Sequence, residues 1–270
     1  MNDTELTELK AVFKLETTVS ARGIEMGNGT FDKVKTTGGI SNFDALSAIL
    51  RTLEKLGIEP QFTKENEPFN VHTLLQSLKG VGKWGYTIRC ADLEFAFARN
   101  VGREHAFVHI KEKQVGACKS WDAWIAELSQ IDGFAHAWVS NSEYEYWQNA
   151  KELSQYQYGG RDASKLPLVS NGFPPPLLRQ IVDTSKNPGR TILQTGYIEA
   201  VGATMWLSKT FFDLTKGAQN LDEVRKADWL TVTTLNDDVI KVQAHPTPFS
   251  DESTAAIQDK TRALLYPLPA

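Results

Sequence analysis

Phe43, Leu46, Leu50 and Leu53 recur at helical spacing, with Ser41 or Asn42 as N-cap and Gly57 and Pro60 as stop signals. A helix with one apolar face must bury it, so this segment demands a partner layer. Leu74, Leu75 and Leu78 predict a second helix over Val71 to Lys79, ending at Gly80. Short β-prone runs follow at Tyr86 to Cys90, Leu93 to Arg99 and Ala106 to Ile110, broken by Asp92 and by Asn100 to Gly102, and predict an antiparallel meander. Helices set beside a mostly antiparallel sheet make the expected fold class α+β.

Lys10 to Val19 and Phe31 to Lys35, with Gly27-Asn28-Gly29 between them, predict an opening hairpin. Ser120 caps a helix carrying Trp121, Trp124, Ile125 and Leu128, and Phe134 to Val139 reads as a strand. Ser142 and Glu145 form a capping-box pattern for a short helix. From Gln148 to Pro176 periodicity fades, and Gly159-Gly160, Asn171-Gly172 and Pro174-Pro175-Pro176 punctuate the chain. A stretch of that length is functional or a linker. It predicts an N-terminal half at 1–150, a loop at 151–176 and a C-terminal half at 177–270, unless the whole is one continuous domain. Beyond it come strands at Gln180 to Asp183, Thr191 to Gln194 and Tyr197 to Leu207, a helix after Ser208, and a second helix capped by Asn220 with Glu223. A hairpin across Asn236-Asp237-Asp238 and a terminal helix from Glu252 to Leu265 complete the chain. The two halves read similarly enough that a duplicated architecture is one reading, though no residue-level repeat supports it.

The net charge is −4 without a dense Lys/Arg block, so a direct nucleic-acid ligand is not expected. No apolar run reaches the roughly 18 to 20 residues of a membrane span, and Met1 to Glu5 lack the features of a secretory signal. These features predict a cytoplasmic chain, in which Cys90 and Cys118 are reduced.

Gly80-Val81-Gly82-Lys83-Trp84-Gly85 spells a dinucleotide fingerprint, but a helix precedes it and a strand follows, the reverse of what a phosphate needs. His105 and His109 stand four apart in a strand, where roughly 13 Å separates them, too far to share one zinc ion. Acid pairs such as Asp222 with Glu223 and Asp251 with Glu252 sit where helices begin, the ordinary place for acids. No catalytic residue, metal site or cofactor is therefore expected.

Between Trp138 and Tyr158 lie six aromatic residues, all Trp or Tyr, among Ser, Asn, Gln and Glu. Such side chains pair a large apolar body with a polar tip and suit surfaces that dry on binding. Trp138, Tyr144 and Trp147 also fit a buried face. Tyr144, Tyr146, Trp147, Tyr156 and Tyr158 are the candidate partner-binding residues, with Arg161 as a planar donor to a carboxylate. Acidic groups near Asp237-Asp238 or Glu143 are expected to meet a basic cleft.

Trp138-Val139-Ser140, Tyr144-Glu145-Tyr146-Trp147, Gly160-Arg161, Asn171-Gly172-Phe173-Pro174-Pro175 and the run from Tyr197 to Leu207 give the chain a texture, loosely from Tyr86 to Pro267, that resembles one family. It resembles the bacterial immunity proteins encoded beside polymorphic toxins, particularly those paired with restriction-endonuclease-like effectors of the type VI secretion system. The resemblance implies a non-catalytic cytoplasmic protein that binds a cognate toxin effector, a nuclease, and blocks it. It maps no family binding residue onto this sequence. The alternatives are a hydrolase or glycan-active enzyme using carboxylates beside the aromatic loop, and a structural subunit with a self-complementary apolar face.

Overall fold

The computed structural model describes residues 5–26, 29–80, 82–215 and 218–267. Its first two thirds run β1 (Thr7–Lys14), β2 (Glu16–Met26), β3 (Gly29–Gly38), α1 (Asn42–Lys55), β4 (Phe62–Lys64), β5 (Glu67–Phe69), α2 (Val71–Leu78), β6 (Ile88–Cys90), β7 (Leu93–Asn100), β8 (His105–Glu112), α3 (Trp121–Leu128), β9 (Phe134–Asn141) and α4 (Ser142–Asn149). Then follow α5 (Leu153–Tyr158), β10 (Leu168–Ser170), β11 (Gln180–Val182), β12 (Ile192–Leu193), β13 (Ile198–Glu199), β14 (Thr204–Ser208), α6 (Lys209–Leu214), α7 (Ala218–Lys226), β15 (Thr231–Asn236), β16 (Val239–Gln243) and α8 (Ala255–Leu265).

One ten-stranded sheet, ordered β15-β16-β14-β9-β1-β8-β7-β6-β4-β5, holds the molecule together. The fold is mixed α+β, as the sequence pattern indicates. β1 does not pair with the strand that follows it; it lies between β8 and β9, antiparallel to both. The opening hairpin is formed instead by β2 and β3, and its expected turn at Gly27 and Asn28 lies outside the described residues. β14 continues the sheet from β9, so strands from the two ends of the chain share one surface.

Alternation along β1 sends Leu9, Ala11 and Phe13 to one face, where they meet Leu46, Ile49 and Leu53 of α1 and Trp124 and Ile125 of α3. The caps that start these helices are present: Ser41 with Asp44 closes a capping box on α1, and Ser120 accepts from the Ala123 amide on α3. On the opposite face Val12, Met205, Leu207 and Ile240 pack with Phe211, Val224 and Leu265 from α6, α7 and α8. His136, fully buried, is stacked beside Trp138 at 5.4 Å and packs against Phe211 at 5.1 Å. Burial holds its pKa down at about 3.

The segment 151–176, read from sequence as a loop, contains α5 and β10. Its order comes from long-range contacts: Ala150, Tyr156 and Val182 form a small apolar cluster with Trp147, Ala163 and Leu166. Val182 donates its amide to the Lys151 carbonyl at 2.8 Å.

Candidate functional site

The register across the sheet builds a polar corner. Lys111, Glu8 and Ser140 stand opposite one another on β8, β1 and β9, and the next row on the same face is His109, Lys10 and Trp138. β9 then turns directly into α4, whose first free amides are capped by Asn141, the acceptor for Tyr144 N at 2.9 Å. One turn into that helix Glu145 is carried back over Trp138 and Lys10.

Lys10 Nζ contacts Glu8 at 2.9 Å and Glu145 as well. Trp138 Nε1 donates to Glu145 at 3.2 Å, Ser140 donates to the same carboxylate, and Ser142 donates to Glu8 at 3.0 Å. His109 Nε2 stands 3.2 Å from Glu8. Burial alone would push the Glu8 carboxyl up, but the His109 ring and the Lys10 ammonium outweigh it and hold the group well below the usual carboxylate range. Lys10 is driven the other way: Glu145 and Glu8 overcome desolvation and raise its pKa. An open pocket of about 370 Å³ adjoins this cluster, reaching Lys111, Tyr146, Asn149 and Thr191. A general acid or base needs a pKa near the working pH, and Glu8 is held far from one.

α4 also anchors the segment that follows. Asn149 accepts from both the amide and the hydroxyl of Thr191, and Gln148 accepts from the Gly189 amide at 3.0 Å. Buried Arg262 of α8 donates to Glu199 at 2.6 Å and to the carbonyls of Pro188 and Arg190. Residues 146–193 thus form an insert closed on itself through Gln148 and Asn149 and fastened to α8 through Arg262.

The six candidate residues do not share one surface. Tyr144 is buried against Val201, Ala203 and Phe249, with its hydroxyl accepting from Gln258. Tyr156 is buried too, its hydroxyl donating to the Ala150 carbonyl at 2.9 Å. Both are core residues, and the expectation that they touch a partner is corrected. Trp147 is half-buried between Tyr146 and Tyr156. Tyr146 is 48% exposed and Tyr158 90% exposed. Arg161 is exposed but already engaged, paired with Glu143 at 2.7 Å and set over the Trp147 ring.

Sequence reasoning missed the larger feature. β10 and β11 form a hairpin whose connecting loop presents Phe173, Leu177 and Leu178 to solvent, with Leu168 and Val169 exposed on its stem. Ile192 and Leu193 are exposed on β12. Among the described residues, ten of the eleven exposed large hydrophobic side chains lie between Tyr146 and Leu193, the exception being Val115. The signal was there in Phe173-Pro174-Pro175-Pro176-Leu177-Leu178, an apolar run inside a stretch with no periodicity to bury it. Asp237-Asp238 is remote from this surface: the turn adjoins Val239, which pairs with Ser208 at the far end of β14, whereas Thr204 pairs with Val139 near the start of α4.

No protein-family model matches the sequence, and no curated protein matches it. Among solved structures, the Pseudomonas aeruginosa T6SS protein PA0821 is a distant likeness, 10% identical with a TM-score of 0.48, covering 97% of this chain and 73% of that one. A likeness at that level carries no inference about activity or partner. Among the described residues no helix is long and apolar enough to cross a membrane.

Proposed function

We propose that this chain is an immunity-type binding protein, docking through its 146–193 insert onto a cognate toxin effector in the cytoplasm and neutralising it. The observation that supports this is the concentration of exposed apolar side chains on the insert. Exposed apolar surface of this kind marks interaction sites on monomeric proteins, and here it is concentrated in one segment of the chain. The insert is fastened at α4 and α8, so its side chains are held ready and little ordering cost remains at binding. The resemblance of the surrounding sequence to immunity proteins supplies the class of partner, an effector of the type VI secretion system with nuclease activity.

The test is co-expression of this chain with the toxin encoded beside it, reading growth and co-purification. A variant carrying Tyr146→Ala, Phe173→Ser, Leu177→Ser and Leu178→Ser removes only exposed side chains and should stay folded. Wild type should rescue growth and form a stoichiometric complex; the variant should do neither. Rescue by the variant as complete as by wild type would refute docking through the insert.

The second reading, a hydrolase, draws on the two carboxylates that meet at Lys10 beside an open pocket. Both are occupied by internal donors, which favours a structural role for the cluster.

A further inference from the structure

The chain as a whole is acidic, but the insert is not. From Tyr146 to Leu193 there are six Lys and Arg residues against three Asp and Glu, a net of +3 inside a chain of net −4. Two of the six, Arg161 and Arg179, are paired with Glu143 and Glu152. Lys151, Lys165 and Lys186 are exposed, and none forms a salt bridge with a described carboxylate. Lys111 adds to the same sign. It lines the pocket beside Tyr146, and the two carboxylates there already serve Lys10. Asp183 feels Lys151 and Lys186 and partly offsets them, and the apolar side chains of the insert remain on a segment of net positive charge.

Resting on the binding reading above, we infer that the insert recognises an acidic protein surface, an apolar depression on the toxin rimmed by Asp and Glu. Complementary charge at the rim steers encounter and excludes wrong partners, while the apolar centre supplies the affinity. This reverses the sequence-based expectation that acidic groups of the chain meet a basic cleft. A nuclease lines its substrate path with positive charge, which this insert would repel. It docks instead on an acidic flank of the toxin, and inhibition follows from covering or fixing the toxin from that flank.

An anionic bilayer is the competing occupant of a basic apolar hairpin. It fits less well, because exposed apolar groups are spread from the loop tip at Phe173 and Leu177 to Tyr146, Leu153 and Ile192 on the insert's body.

The experiment reverses charge without touching the apolar groups: Lys151→Glu, Lys165→Glu and Lys186→Glu in one full-length chain, with binding to the adjacent-encoded toxin measured between about 50 and 300 mM salt. Wild-type affinity should fall as salt rises. The variant should bind at least about tenfold more weakly at low salt and lose most of that salt dependence. Carbodiimide coupling of the wild-type complex should join Lys151, Lys165 or Lys186 to toxin Asp or Glu. Equal or tighter binding by the variant overturns the inference while leaving the binding reading intact, since a complex still forms. Absence of any wild-type complex overturns both. Sedimentation of wild type, but not the variant, with phosphatidylserine vesicles and no charge effect on the toxin assigns the insert to membranes and overturns the acidic-protein partner.

Discussion

The guanidinium of Arg161 lies 4.2 Å from the centre of the Trp147 ring while its Nη2 holds Glu143 at 2.7 Å. One residue of the insert is thereby clasped to two of α4. Trp147 is held from its other sides by Tyr146 and Tyr156, and a Cβ at Gly159 would come within 2.4 Å of the indole. The clasp presents Tyr146 in a fixed setting, with Gln155 donating to its hydroxyl at 3.2 Å.

Truncating Trp147 to Ala should therefore act on the fold, costing roughly 2 to 3 kcal/mol because the ring is only partly buried. Tyr146→Ala should cost less than about 1 kcal/mol in stability yet weaken toxin binding by at least about 2 kcal/mol. Chemical denaturation and calorimetric titration on the two single variants separate these roles. A simultaneous change of both residues would mix them.

Gly159→Ala should displace the indole, since φ there is −80° and the backbone tolerates a side chain, leaving the indole at 2.4 Å as the main obstacle and the Gln155 carbonyl at 3.1 Å as a lesser one. The check is tryptophan fluorescence of the folded variant, expected to shift to longer wavelength as Trp147 gains solvent.

Lys10 separates two buried carboxylates. Lys10→Met would leave Glu145 without a counter-charge and Glu8 with His109 alone, and a loss of about 3 to 5 kcal/mol is expected. Adding Glu145→Gln should recover part of that loss. Urea unfolding of the single and double variants measures it.

His136 gives the fold an acid limit. The unfolded chain takes up a proton at this residue below about pH 6.5, whereas the folded chain resists until about pH 3. Stability from this group is complete above the unfolded value and falls as pH drops through that window, by as much as roughly 5 kcal/mol. His136→Phe, which keeps a ring beside Trp138 and Phe211, should flatten the pH dependence of the thermal midpoint between 6.5 and 3.

Local features were legible in the sequence because local chemistry sets them. Ser41, Asn70 and Ser120 cap helices where spacing predicts helices, and His105 and His109 lie on a strand as alternation requires. Pairing was not legible: Lys10 meets His109 and Trp138, 99 and 128 residues away, and alternation names a strand without naming its neighbours. The same limit misplaced Tyr144 and Tyr156. A tyrosine suits a wet surface or a core with one hydrogen bond, and only the tertiary partners Gln258 and the Ala150 carbonyl decide between them.

The most direct test of the account is the affinity of the adjacent-encoded toxin for wild type and for the variant with Tyr146→Ala, Phe173→Ser, Leu177→Ser and Leu178→Ser, after circular dichroism shows both are folded. The account predicts a tight complex with wild type and a loss of at least about a hundredfold in the variant. Equal affinity for both chains would contradict it and place the binding surface elsewhere on the sheet.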